Sequence, residues 1–207
     1  MKKIISLILC IAAILLCTVS CGDEKAEDTT AAAGEVSSKE PVYVEMSVKE
    51  HGIIKLELYP DIAPVTVENF VSLVKEGFYD GLTFHRISKG FMIQGGGPDN
   101  GRGGSGKEIF GEFRANGFDN PLSHDRGVIS MARTNDPNSA SSQFFICDSG
   151  NYKSSLDGRY AAFGKVIEGI EVVDSIASVD VVMNSQGSER SVPVHPVVIE
   201  YVKVIEK

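Results

Sequence analysis

The order of elements along the chain predicts a mainly β, antiparallel fold, a barrel or a sandwich. Three observations carry that reading. Short runs of alternating apolar residues recur from residue 42 to the C-terminus, only two stretches show helical periodicity, and strands and helices never alternate as a parallel sheet would require. A β domain without long exposed strand edges favours closure into a barrel.

Taken in order, Val42, Val44, Met46 and Val48 alternate, as do Ile54, Leu56 and Leu58, with Glu50-His51-Gly52 as the turn between them. That is a β-hairpin with one buried face. A helix follows. Pro64 starts it, Val67, Phe70, Val71 and Val74 form one apolar stripe, and Gly77 supplies the stop. Further strand-like runs cover residues 84–87, 91–94, 128–131, 144–146 and 162–166. A second helix spans 170–178, with Ile170, Val173, Ile176 and Ala177 on one side, and the alternating run 197–205 is the closing strand.

The segment ahead of this domain has a different character. Residues 1–21 read as an export signal: Lys2 and Lys3 form a positive n-region, and residues 4–16 are apolar apart from Ser6. The signal ends at Thr18-Val19-Ser20-Cys21, which resembles the bacterial lipobox with Thr18 at the usual leucine position, so Cys21 is the expected lipidation site. Residues 22–40 are acidic and rich in Ala, Thr and Ser, and bury too little apolar surface to offset chain entropy. They are expected to form a disordered tether. The third segment, residues 41–207, is large enough for one well-buried domain. The protein is therefore expected outside the cytoplasm, held at the cell membrane by the lipid.

Formal charge is −8 at pH 7, and removing the signal takes two lysines with it. Phosphate neutralisation needs clustered Lys and Arg, so nucleic acid is excluded as a partner. Cys147 is the one cysteine of the domain; no disulfide framework exists, and at the end of Gln143-Phe144-Phe145-Ile146 it reads as a small buried hydrophobe.

Several motifs fail on context. Gly101, Gly103 and Gly106 satisfy a dinucleotide-loop pattern, and Gly106-Lys107 most of a phosphate-loop one. Glu108 stands where a magnesium-binding hydroxyl would be, and no amphipathic helix follows. A long glycine loop over the barrel is the better reading. Ser123-His124-Asp125 are adjacent, whereas a triad converges from separated positions, so they read as a polar turn. The histidines at 51, 85, 124 and 195 show no ligand spacing, and no metal or cofactor is expected.

The stretch Phe84-His85-Arg86 through Gly90-Phe91-Met92-Ile93-Gln94-Gly95-Gly96 is different. It sets one arginine, two large apolar side chains and one glutamine together with no acid/base pair or nucleophile. Such a set suits a reaction in which no proton moves and no covalent bond breaks, such as rotation about a prolyl peptide bond.

These segments resemble the cyclophilin-type peptidyl-prolyl isomerases. The likeness covers residues 42–205 and rests on ordered blocks: Ala63-Pro64-Val65-Thr66-Val67-Glu68-Asn69-Phe70, the Phe84–Gly96 stretch just quoted, Ser130-Met131-Ala132, Ser142-Gln143-Phe144-Phe145-Ile146, and Leu156-Asp157-Gly158 followed by Phe163-Gly164-Lys165-Val166. The resemblance implies a closed eight-stranded antiparallel barrel capped by two helices, with the substrate groove on its outer face. It implies Arg86 as the catalytic arginine, and Phe91, Met92, Phe145 and Leu156 as the pocket for the proline ring. Gln94 and Gln143 would hold the substrate backbone, and Ala132 would line the groove. Arg133 stands where well-studied members have asparagine, with a backbone contact that survives any side chain. Tyr160 stands in place of histidine and keeps an aromatic wall. Ser155 stands in place of a tryptophan that matters chiefly for cyclosporin, so weak inhibition by that drug is expected. The expected partners are proline-containing unfolded or extended polypeptides, engaged by a monomer. The alternative is a non-catalytic module or holdase that only grips proline segments.

Overall fold

The computed structural model describes residues 39–207; the expected signal, Cys21 and nearly all of the expected tether lie outside them. Ten strands form: β1 (Val42–Val48), β2 (Gly52–Leu58), β3 (Thr83–Ser88), β4 (Met92–Gly95), β5 (Val128–Met131), β6 (Phe144–Cys147), β7 (Ala162–Glu168), β8 (Val181–Met183), β9 (Arg190–Pro193) and β10 (Val197–Ile205). Eight of them close a barrel in the order β1-β10-β3-β4-β6-β5-β7-β2, and every pairing in it is antiparallel. Closure, strand number and direction are those the resemblance implies.

Period-two patterning fills the barrel. Val44, Met46 and Val48 of β1 and Ile54, Leu56 and Leu58 of β2 are buried, and Phe84, Ile93, Ile129, Phe144, Ile146 and Phe163 join them from the other strands. The two expected helices cap it: α1 (Pro64–Lys75) and, later in the chain, α4 (Ile170–Ala177). Phe70 of α1 packs against Tyr79, Phe144 and Phe163, with ring centroids 5.0, 5.7 and 5.2 Å away.

The residue that precedes α1 is Ala63, whose methyl group cannot cap it. Glu112, buried in a distant loop, does so instead. Its carboxylate accepts from the backbone N–H of Val65 (3.0 Å) and Thr66 (2.8 Å) and from the Thr66 hydroxyl (2.7 Å). Orphan amides and the positive end of the helix dipole are thus met by one charge.

Four features go beyond the sequence reading. Single turns of helix lie at α2 (Pro98–Gly101), inside the glycine loop, and at α3 (Lys153–Leu156), and a 3-10 turn lies at Arg114–Asn116. Each is too short to show a 3.6-residue pattern. The fourth is a separate two-stranded sheet, β8–β9, standing outside the barrel with its β9 against β3.

Candidate active site

The site begins with a bulge. Phe84 pairs with Gly95 and Arg86 with Gln94, leaving His85 as an extra residue in β3. Without it, Phe84 and Ile87, three residues apart, could not both point into the barrel. With it they do, and Arg86 is turned outward. From there one cross-strand row runs over the outer surface: Arg86 opposite Gln94, Gln94 opposite Phe145, and Phe145 opposite Ser130. The next row brings Met92 opposite Cys147.

These outward residues form a second apolar cluster, separate from the barrel interior. Met92, Phe145, Cys147 and Leu156 are its buried members, and Phe91, Ala132 and Tyr160 pack against it. A pocket of about 290 Å³ opens over them, lined by Arg86, Phe91, Met92, Gln94, Ala132, Arg133, Phe145, Leu156 and Tyr160. Nine of the ten substrate-site residues expected from sequence thus meet around one hollow. The tenth, Gln143, lines an adjoining groove of about 530 Å³ that shares Gln94, Ala132 and Arg133 and runs beneath the glycine loop. Arg86 lines the smaller hollow and not the groove.

Arg86 is 38% exposed and fully committed in orientation. Glu189 takes one edge of the guanidinium, accepting from Nε at 2.8 Å and from Nη2 at 3.1 Å. Nη1 donates to Gln94 Oε1 at 3.1 Å. Gln94 Nε2 donates in turn to Gln143 Oε1 at 2.9 Å, and Gln143 Nε2 donates to the carbonyls of Gly101 (3.2 Å) and Gly103 (2.6 Å). A single hydrogen-bonded chain therefore joins the β8–β9 hairpin to the glycine loop through the arginine. Phe91 sits beside it, its ring centroid 5.8 Å from the guanidinium carbon.

The Arg133 side chain is occupied elsewhere. Its guanidinium donates to the carbonyls of Arg159 and Thr134 and lies over the rings of Tyr160 (4.6 Å) and Phe113 (5.0 Å). It braces Tyr160 as the wall of the pocket. Ser155, on α3, lies off the pocket lining; the exposed aromatic ring nearby is Tyr152, its centroid 4.5 Å from that of Phe91 and its plane tilted by 48°.

Three participants escaped the sequence reading. His124 is no surface turn residue: it is 1% exposed, Nδ1 is 2.8 Å from Asp157 Oδ1, and Nε2 is 3.0 Å from Ser130 Oγ. A carboxylate can only accept, so Nδ1 carries the proton and Nε2 accepts from Ser130. Burial pushes the His124 pKa below its ordinary value, outweighing the carboxylate, so the ring is neutral. Burial alone would raise the pKa of Asp157, but hydrogen bonds from the His124 amide, Ser123 and the His124 ring hold it below the usual range. Although serine, histidine and aspartate converge, Ser130 is wholly buried opposite Phe145 and absent from the pocket lining, so this is a support and no nucleophile. The third participant is Glu189. Cys147 behaves as expected: it is buried, and burial drives its thiol pKa up to about 12.

The family described as cyclophilin type peptidyl-prolyl cis-trans isomerase/CLD matches residues 43–204. The chain belongs to the cyclophilin-type isomerases. A peptidyl-prolyl cis-trans isomerase of Acinetobacter baylyi is 43% identical over 156 residues, covering 74% of this chain and 80% of its own. Peptidyl-prolyl cis-trans isomerase B of Escherichia coli is 39% identical over 162 residues, 75% of this chain and 96% of its own. A crystal structure of a Cryptosporidium parvum cyclophilin type isomerase superposes with TM-score 0.69 at 29% identity, covering 81% of this chain and 99% of that one. The same parasite protein has been crystallised in the presence of the dipeptide Ala-Pro. Prolyl cis–trans isomerisation is the activity of this cyclophilin.

Proposed function

We propose that Arg86 is the catalytic group of this isomerase, that Phe91, Met92, Phe145 and Leu156 seat the proline ring, and that Gln94 and Gln143 hold the substrate backbone. The supporting observation is the convergence of one oriented guanidinium with these apolar side chains around a single hollow. Partial double-bond character gives the peptide bond a rotational barrier of roughly 18–20 kcal/mol. In the twisted state the imide nitrogen becomes pyramidal and regains a lone pair. A donor aimed at that lone pair binds the twisted state better than the planar one, which is the condition for catalysis. An acceleration of about 10⁵ needs only about 7 kcal/mol of such differential binding.

Ala132 and the Arg133 backbone line the path of the peptide, and Tyr160 walls its proline end. Proline-containing extended polypeptides are the substrate class. Turnover of a Xaa-Pro peptide tests the assignment. Arg86→Ala should retain the fold and lose about 10²-fold or more in kcat, with Arg86→Lys between, since lysine keeps the charge and loses the fork. Unchanged turnover in Arg86→Ala would refute it.

We propose further that this enzyme is a monomer outside the cytoplasm, tethered through lipid on Cys21 by the acidic segment 22–40. The small residues before Cys21 and the apolar run of the signal support it. Cys21→Ser should release the protein from membranes with activity intact; persistent attachment would rule out lipidation.

A further inference from the structure

We propose that Glu189, carried outside the barrel on the tip of the β8–β9 hairpin, is a positioning residue that aims the Arg86 guanidinium at the rotating imide. This rests on Arg86 being the catalytic cation.

A guanidinium has five N–H donors. Glu189 takes two along the Nε–Nη2 edge and Gln94 takes one from Nη1, so two remain for a substrate. With only Gln94 to hold it, the planar group could swing on its long stem; two anchors on different edges fix both its plane and its tilt. The acceptor is a single lone pair that exists only near the twisted state, so the direction of the donor decides how much the transition state gains over the ground state. A carboxylate across one edge reduces the field of the bare cation. What it supplies is a fixed heading.

The hairpin is built to present this carboxylate. The Asn184 side chain closes the tip, its Oδ1 accepting from the amides of Ser188 (3.0 Å) and Glu189 (3.4 Å), while the Asn184 N–H donates to the Glu189 carbonyl at 2.8 Å. Ser191, the second residue of β9, is buried as the strand lies against β3. Hydrogen bonds from Arg86 hold the Glu189 carboxyl below the usual range against the opposing effect of its partial burial, so it is charged at neutral pH. The barrel closes without this hairpin, whose two strands pair with each other.

The test uses the full chain, with kcat and KM measured on a Xaa-Pro peptide by NMR exchange and the Arg86 Nε–H resonance followed in the same samples. Glu189→Ala should lower kcat about tenfold with KM changed less than about twofold, and should move the Nε–H signal to the position of a solvent-exposed arginine. Introduced into Arg86→Ala, the same change should cost nothing further. An unchanged or raised kcat in Glu189→Ala would overturn the proposal, a rise meaning that the carboxylate competes with substrate. An equal loss in both backgrounds would also overturn it, because the hairpin would then act on the fold rather than on Arg86. If Arg86→Ala alone turns over normally, the catalytic assignment fails; if only Glu189→Ala is silent, that assignment stands and the positioning role fails.

Discussion

The ring of His124 lies against that of Phe145, with centroids 6.0 Å apart and planes 14° from parallel. Phe145 is the floor of the pocket, so the floor rests on an imidazole whose two nitrogens are both tied, one to Asp157 and one to Ser130. Turning that ring, which is 1% exposed, would break both bonds and leave buried polar groups unpaired. Support for a site on the outer face of a barrel thus comes from a polar triad wedged between strand and loop.

Acid should loosen the fold through this triad. The ordinary pKa of histidine is 6.5, and burial lowers that of both His124 and His85 in the folded protein. Below 6.5 the unfolded chain takes up protons that the folded one refuses, so their stabilising effect is present above 6.5 and declines as pH falls toward the folded values. Asp157 acts in the same sense at lower pH, its contribution fading as pH drops below 3.8. Thermal denaturation between about pH 8 and pH 5 should show Tm falling below about pH 6.5, with a flatter profile in His124→Asn. A Tm that ignores pH across this range would show that the rings are not held neutral.

Glu112 should matter to stability and not to turnover. Glu112→Ala strands the first amides of α1 in the interior and removes the charge that meets them, which should cost about 3 kcal/mol in chemical denaturation. Glu112→Gln, keeping one acceptor, should cost less. Both variants should retain wild-type kcat per folded molecule, because Glu112 lies off the pocket lining. A Glu112→Ala loss below about 0.5 kcal/mol would mean that water satisfies the helix end instead.

The strands and α1 were legible because their signal is local, while closure into eight strands came from the resemblance. Alternation along residues 42–58 and 197–205 is visible without knowing which strands pair, and the Pro64 and Gly77 punctuation marks α1 on its own. The outer pocket was legible only through resemblance: taken singly, Phe145 or Met92 is indistinguishable from a core residue, since nothing in the pattern tells the inside of a barrel from an apolar patch on its outside. Glu112, Asp157 and Glu189 were illegible for a different reason. Each is one acidic residue in a polar loop, and its partner lies 46, 33 or 103 residues away. Long-range hydrogen bonding to a lone carboxylate leaves no periodicity behind.

Cys147 should be inert until the protein unfolds. A thiol with its pKa near 12 and no exposed surface offers almost no thiolate to a reagent at neutral pH. Alkylation of native protein followed by peptide mapping should leave Cys147 unlabelled, and its labelling in denaturant should track the unfolding transition. Rapid labelling of Cys147 in native protein would mean that the cluster beneath the pocket opens on its own.

The glycine loop should govern substrate affinity through Gln143. Gly101 sits at φ +86°, and a Cβ there would lie 2.1 Å from Cγ of His85, so alanine must push the loop off the barrel. The carbonyls of Gly101 and Gly103 would then release Gln143, and Gln94 would lose the fixed acceptor that holds it toward Arg86. Gly101→Ala should therefore raise KM by about tenfold or more while kcat falls less. Gly81 is the control: at φ +79° a Cβ would meet nothing within 4 Å, so Gly81→Ala carries backbone strain of about 1 kcal/mol without touching the site. Matched losses of stability with a change in KM only for Gly101→Ala would assign the effect to the loop contact. Equal KM values in both would mean that the groove beneath the glycines takes no part in holding the peptide.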